Sequence, residues 1–211
     1  YSKFPVHHRK AYRMPALVPR GQGKQLVSPA GRGIYAYDPK TGKELWYVRH
    51  RGWSVAPRPV SGHGLVFATV DRDRPELWAI RLDGKGDVTD THIEWKSIRS
   101  MPQRCSPLLV GDLLFVVNRG GIASCLEAKT GEVVWKERLK GVYSASPIYA
   151  EGRIYLFNEE GLATVIRPTR KLEVIASNVL ARQPFMATPA VDGDALIMRT
   201  GGHLYRIEAQ R

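Results

Sequence analysis

The chain has 211 residues, of which 43% are hydrophobic and 25% charged, and its formal net charge is +12. These values exclude wholesale disorder, collagen and a coiled coil, and no apolar run approaches the roughly 18–20 residues that a membrane helix needs. Residues 1–60 hold twelve Lys or Arg and two Asp or Glu, a net of +10, and this confinement of the charge disfavours a general nucleic-acid binder.

Five units of similar sequence follow one another along the chain. Each contains a landmark proline, at positions 15, 57, 107, 147 and 189, and the spacings are 42, 50, 40 and 42 residues. Within a unit, short runs rich in Val, Leu, Ile and aromatic residues are separated by Gly, Asp or Asn, which is typical of strands joined by tight turns. Four-stranded units of about 40 residues are typical of β-propeller blades. A β-sandwich with regular strand spacing is the alternative, but several landmarks in register favour the propeller.

These units predict an all-β propeller of four-stranded antiparallel blades, four of them complete and a fifth partial or shared. The stretch from Phe4 to Pro15 has the same length as that from Trp46 to Pro57, so residues 1–9 are predicted to be the outer strand of a preceding blade. Complete blades are predicted at 12–48, 55–97, 105–138 and 145–177, and a partial blade at 187–208. We expect the chain to be the C-terminal part of a longer propeller. Alternatively, residues 1–9 complete the last blade and close a five-bladed ring, which removes exposed sheet edges.

A short motif closes most of the units. It reads Asp38-Pro-Lys-Thr-Gly42-Lys-Glu-Leu-Trp46 in the first and Lys129-Thr-Gly131-Glu-Val-Val-Trp135 in the third, and the closing position recurs at Trp95 and Ile175. The motif resembles the tryptophan-docking motif of quinoprotein-type propellers. The glycine permits a tight turn between the third and fourth strands, and the indole buries a large area between blades while its N–H bonds a backbone carbonyl.

The chain is therefore identified as similar to the PQQ-like repeat proteins. The second and fourth units depart from the motif, at residues 82–91 and 167–171, and such degeneracy is common among non-enzymatic members, some of which assist outer-membrane protein assembly. The resemblance implies a non-catalytic binding or scaffolding module in an extracytoplasmic, periplasmic location of a bacterium. It also implies that partners are proteins, peptides or acidic ligands, and that open blade edges invite self-association.

Two alternative functions stay open. One is a fragment of a pyrroloquinoline-quinone-dependent alcohol or sugar dehydrogenase, whose family holds the quinone and Ca²⁺ on the propeller axis. No recognisable Ca²⁺ ligand set, catalytic base or vicinal cysteine pair is present, so we expect no catalytic, cofactor-binding or metal-binding residues. The other alternative is nucleic-acid binding through the basic residues 1–60, which a steep salt dependence would reveal.

The two cysteines are predicted to be free thiols. Cys105 precedes the first strand of its unit and Cys125 lies in the third strand, so two strand spacings, roughly 9–10 Å, separate them. That distance exceeds the reach of a disulfide bond. Cys125 is expected to pack in the core.

A basic and aromatic mouth is the candidate binding site. In propellers, ligands tend to bind at the face built by loops entering the first strands and by turns joining the second and third. The residues predicted to bind an acidic peptide, glycan acid or anionic lipid there are Arg49, Arg51, Trp53, Arg104 and Arg182. Arginine pairs bidentately with carboxylates, and Trp53 would contribute stacking.

Overall fold

The computed structural model describes residues 14–52, 56–71, 74–180 and 183–208. These ranges contain twenty strands and no helix, so nothing in them is a helix long and apolar enough to cross a membrane. The strands form five sheets in which consecutive strands pair antiparallel, and each sheet is numbered here as a blade in chain order. The predicted all-β fold of four-stranded antiparallel blades is confirmed.

The blades follow the repeat. Blade 1 contains β1 (Ala16–Arg20), β2 (Gly23–Ala30), β3 (Gly33–Tyr37) and β4 (Glu44–Arg49). Blade 2 contains β5 (Val60–Gly62), β6 (Leu65–Asp71), β7 (Pro75–Arg81) and β9 (Ile93–Ser97). Strand β8 (Gly86–Asp87) lies between β7 and β9 in the chain but belongs to the sheet of blade 1. Blade 3 contains β10 (Leu108–Val110), β11 (Leu113–Val117), β12 (Ile122–Glu127) and β13 (Val133–Arg138). Blade 4 contains β14 (Ile148–Ala150), β15 (Arg153–Phe157), β16 (Leu162–Ile166) and β17 (Val174–Val179), and blade 5 contains β18 (Ala190–Asp192), β19 (Ala195–Arg199) and β20 (Leu204–Ile207).

Strand β8 is the element that the sequence did not predict. It belongs to the long connection of blade 2 but pairs in parallel with β4 of blade 1, with Trp46 opposite Gly86 and Tyr47 opposite Asp87. The amide of Val88 donates to the carbonyl of Tyr47 at 2.9 Å. The connection is therefore a strap that ties blade 2 to the outer edge of blade 1. We call residues 83–91 the strap.

The core lies between neighbouring blades, which pack face to face. Since side chains alternate along a strand, each inner blade buries one set of residues against the blade before it and the other set against the blade after it. An aromatic side chain that is fully buried between two blades removes roughly 200 Å² from water, which contributes about 5 kcal/mol. The interfaces in chain order contain Ile34, Trp46 and Ile80; then Phe67, Leu77 and Leu126; then Phe115, Cys125 and Ile154; then Phe157, Phe185 and Met198.

A β-bulge recurs where the third and fourth strands of the four-stranded blades pair, and it corrects one sequence landmark. In blade 4 the register places Ala176 opposite Val165 and leaves Ile175 in the bulge. Ala176, and not Ile175, therefore occupies the position that tryptophan holds elsewhere, because the turn of blade 4 is one residue longer than those of blades 1 and 3. The corresponding pairs are Ala36 with Trp46, Ala79 with Trp95 and Cys125 with Trp135.

Hydroxyl groups connect consecutive blades near their first strands. The amide of Ser106 donates to Ser146 Oγ, and the amide of Ser146 donates to Thr188 Oγ1, both at 2.9 Å. The amide of Arg58 donates in turn to Ser106 Oγ at 2.9 Å. Each of these hydroxyl residues directly precedes a landmark proline. The recurring Ser/Thr–Pro pair thus holds blades 2 to 5 in register.

Candidate functional site

Tryptophans of two blades dock on the turn of the following blade. Trp95 Nε1 donates to the carbonyl of Ala128 at 3.0 Å, and Trp135 Nε1 donates to the carbonyl of Thr169 at 3.1 Å. Gly131 lies directly beneath the Trp95 ring with a φ of +75°, and a Cβ there would come within 2.6 Å of the ring. The glycine thus serves both the left-handed turn and the close approach of the indole.

Trp46 reaches blade 2 through a side chain instead of a backbone carbonyl. Its Nε1 donates to Gln25 Oε1 at 2.8 Å, and Gln25 Nε2 donates to the carbonyl of Leu82 at 2.9 Å. Gln25 is fully buried. The strap takes the place of a short turn in blade 2, with Gly84 packed against Trp46, and the amide of Gln25 bridges to the carbonyl. Gly42, which shares the motif, has a φ of +70°, and a Cβ added there would meet no described atom within 4 Å.

Arg49 is held by the strap at the end of β4. Its Nη2 lies 2.7 Å from Asp87 Oδ2 and donates to the hydroxyl of Tyr47 at 3.0 Å, while its amide donates to Thr89 Oγ1 at 2.9 Å. Hydrogen bonds from the hydroxyl and amide of Thr89, together with the charge of Arg49, hold the pKa of Asp87 below its usual range. Arg49 therefore joins the strap to blade 1, and a cation that is already paired attracts a further anion less strongly.

A cavity of about 670 Å³ lies along blade 1 beside Arg49 and Arg51. The Tyr35 and Tyr47 rings stack there at 6.0 Å, and Tyr35 also stacks with Tyr37 at 6.4 Å. These tyrosines lie on the face of the blade that points away from blade 2, because Ile34, Ala36, Trp46 and Val48 fill the opposite face. The lining residues are Arg32, Tyr35, Glu44, Tyr47, Arg49, His50, Arg51 and Thr89. We call this the Arg/Tyr cavity.

The cavity is basic and aromatic. Arg32 and Arg51 are exposed, and neither forms an ion pair with any residue in the described ranges. Burial, followed by the charge of Glu44, raises the pKa of Tyr35. Such a surface offers guanidinium groups to carboxylates and ring faces to apolar or aromatic groups.

The structure separates Arg104 from this cavity. Arg104 Nη1 donates to Ser144 Oγ at 3.1 Å, Ser144 donates to Glu159 Oε1 at 2.6 Å, and Arg104 Nη1 lies 3.8 Å from that oxygen. These contacts join blade 3 to blade 4. Of the five predicted binding residues, the structure thus brings Arg49 and Arg51 together and places Arg104 elsewhere, while Trp53, Arg182 and the predicted strand at 1–9 lie outside the described residues.

The tyrosines are members of the site that sequence reasoning missed. Strand β3 reads Gly-Ile-Tyr-Ala-Tyr, and its alternation places Tyr35 and Tyr37 on one face. The register then adds Tyr47, which pairs with Tyr35. The alternation in β3 is the signal that could have found the tyrosines, whereas the loops alone could not.

Both cysteines are free and Cys125 is buried, as predicted, and Cys105 is buried as well. Burial raises the pKa of each thiol to about 12, so neither is a nucleophile at neutral pH. Within the described ranges, no three His, Cys, Asp or Glu side chains converge as metal ligands would.

Comparison with known proteins gives consistent results. The family model described as outer membrane protein assembly factor BamB matches residues 89–211. A curated relative, outer membrane protein assembly factor BamB of Alkalilimnicola ehrlichii, is 28% identical over 198 residues, covering 88% of this chain and 50% of the relative. The chain thus spans about half the length of the curated relative that it matches.

Two solved structures resemble the chain in fold. The crystal structure of BamB from Moraxella catarrhalis gives a TM-score of 0.65 at 16% identity, covering 88% of this chain and 57% of that one. The β-propeller domain of Cps50 (Swd1) from Myceliophteria thermophila gives 0.64 at 16% identity, covering 92% and 69%. At this identity the likeness concerns the fold, and it confirms the predicted propeller.

Proposed function

This chain belongs to the family of the outer membrane protein assembly factor BamB, and from that membership we propose that it is a non-catalytic protein-binding module of a PQQ-like propeller. The family supports binding and assembly as the function and an extracytoplasmic location for the protein. In this proposal, protein binding requires no quinone, Ca²⁺ or other cofactor. Cell fractionation followed by immunoblotting tests the location, and recovery of the protein with the cytoplasm contradicts it.

The partner engages the Arg/Tyr cavity with an acidic, aromatic segment. The observation that carries this proposal is that two exposed arginines, Arg32 and Arg51, lie beside the stacked rings of Tyr35 and Tyr47 and form no ion pair with any described residue. Carboxylates of the segment pair with the guanidinium groups. An aromatic side chain of the segment packs on the tyrosines, and an aromatic pair contributes about 0.5–1.5 kcal/mol beyond its buried area. Tyrosine and arginine are also the residue types that dominate binding energy at protein interfaces.

A defined peptide tests this proposal. A fluorescein-labelled peptide of alternating Glu and Tyr is titrated with the full chain, and its anisotropy gives the affinity at two salt concentrations. We expect binding that weakens with salt, and a loss of about tenfold with Arg51→Glu, because charge reversal replaces an attraction by a repulsion. A peptide of alternating Lys and Tyr should not bind.

The matched control is Arg119→Glu. Arg119 is exposed and outside the cavity, so the substitution changes the net charge by the same amount without changing the site. We expect a loss of less than about twofold, the size of a screened surface effect. If the two variants lose the same affinity, the peptide responds to the net charge of the chain and not to the cavity. If a peptide of alternating Glu and Ser binds as tightly as the peptide of alternating Glu and Tyr, the cavity tyrosines do not contribute to binding.

A further inference from the structure

The outer strand of blade 4 is an exposed apolar edge. Strand β17 pairs with β16 on one side, and no described strand pairs with its other side. Three of its six residues are exposed hydrophobics: Val174 at 49%, Ile175 at 41% and Val179 at 63%. An unprotected edge of this kind presents unpaired N–H and C=O groups to any extended chain.

The outer strands of blades 2 and 3 carry the charges that protect an edge. Strand β17 has none, since its sequence is Val-Ile-Ala-Ser-Asn-Val. Charged residues on exposed edges discourage pairing with a foreign strand. The charges on the corresponding strands β9 and β13 are Glu94 and Lys96, then Lys136, Glu137 and Arg138.

The chain itself shows that a blade edge of this propeller accepts an extra strand. Strand β8 adds to β4 by parallel pairing, and the contact is reinforced by the pairing of Arg49 with Asp87. Strand β4 is thus covered by an intramolecular fifth strand. Strand β17 is the equivalent edge of blade 4. Strand β20 also ends its sheet, but it carries Arg206.

A slot beside β17 supplies side-chain specificity. Ala176 stands where blades 1 to 3 place a tryptophan, and a cavity of about 750 Å³ lies against it. Tyr155 lines the slot, as do the two cations Arg153 and Arg167 and one carboxylate, Glu151. Arg167 lies 3.4 Å from Glu173, whereas Arg153 has no ion pair within the described ranges. The slot therefore has room for an aromatic ring and a cation for a carboxylate.

We infer that β17 binds an extended segment of a partner polypeptide by strand addition, and that the segment places an aromatic residue over Ala176 and an acidic residue near Arg153. Main-chain hydrogen bonds to the edge supply the affinity, and the side chains that enter the slot supply the specificity. This surface lies on blade 4 and is independent of the Arg/Tyr cavity on blade 1. Failure of one site leaves the other untouched.

A synthetic strand tests the inference. The probe is a labelled peptide, Thr-Val-Thr-Trp-Thr-Val-Asp, titrated against the full chain by fluorescence anisotropy. We expect Val179→Lys, which puts a charge on the edge, and Ala176→Trp, which fills the slot, each to weaken binding at least tenfold. The matched control is Val133→Lys, since Val133 is a 53% exposed valine on an outer strand that is already charged, and it should leave the affinity unchanged. Replacing the peptide's Trp by Ala should also cost at least tenfold.

Backbone pairing has its own readout. Methylating alternate peptide nitrogens removes the donors of one edge of the peptide, so one of the two methylated sets should abolish binding and the other should preserve it. Hydrogen exchange should slow in β17 and not in β13. The inference is overturned if both methylated peptides bind like the parent, or if Val133→Lys weakens binding as much as Val179→Lys. A concentration-dependent dimer that Val179→Lys dissolves would overturn it in favour of a second copy of the chain.

Discussion

Replacing Gly131 by Ala perturbs the docking of one blade on the next at a single atom. The backbone at Gly131 has a φ of +75°, and the new Cβ would lie 2.6 Å from Trp95 Cδ2 and 2.7 Å from Cε3. Placing a side chain in the left-handed region costs about 1 kcal/mol. Moving a packed indole adds about 1–3 kcal/mol, and loss of its hydrogen bond to Ala128 adds about 1 kcal/mol.

The sum is a destabilisation of about 3–5 kcal/mol. Gly42→Ala is the matched control, because Gly42 shares the Thr-Gly turn and a φ of +70° but has no described atom within 4 Å of an added Cβ. The free energy of unfolding of the control should fall only by the cost of a side chain in the left-handed region, about 1 kcal/mol. In a chain of this size each kcal/mol lowers Tm by about 2–4 °C.

Urea unfolding followed by tryptophan fluorescence measures both variants. The midpoint should fall with an unchanged slope, and far more for Gly131→Ala than for Gly42→Ala. Gly131→Ala should also shift the native emission to the red as Trp95 becomes more hydrated. If the two variants lose the same free energy of unfolding to within about 0.5 kcal/mol, the ring contact does not hold the blades and the reasoning fails.

Three further outcomes are expected. Gln25→Leu should lower the free energy of unfolding by about 2–3 kcal/mol, because it leaves the Trp46 N–H and a backbone carbonyl without partners in the core; urea unfolding that matches the parent would contradict this. Cys105 and Cys125 should resist a thiol reagent at pH 8 in the native chain and react once it is unfolded. Since burial raises the pKa of each thiol from about 9 to about 12, the free energy of unfolding should fall as pH rises through that window. If the native chain is labelled as fast as the unfolded chain, the thiols are not buried. Asp87→Asn should speed hydrogen exchange in the strap. Because the pKa of Asp87 is lowered, the parent should lose the same protection as pH falls through that lowered pKa. If the protection depends neither on pH nor on the substitution, the ion pair between Arg49 and Asp87 does not hold the strap.

The repeat by itself determined the fold of this protein. The landmark prolines and the alternating apolar runs are local features, since a strand of five residues between two turn residues leaves little conformational choice. The docking tryptophans at 95 and 135 follow from the same pattern, because a large side chain at a fixed place in each unit must meet the next unit. Sequence spacing was also enough to predict that Cys105 and Cys125 are free thiols.

The site depended on tertiary structure. Gly86 and Asp87 have no strand propensity, and they form β8 because the edge of β4 lies within hydrogen-bonding distance. The sequence predicts loops of the same type for Arg49 and Arg104, yet Arg49 ends β4 and meets the strap, whereas Arg104 meets Ser144 of the next blade. Likewise, a turn that is one residue longer places Ala176, and not Ile175, at the position that tryptophan holds in blades 1 to 3. The sequence determines which residues lie in strands. Which loop reaches which neighbour depends on how the blades stack, and that is set by contacts between residues of different blades.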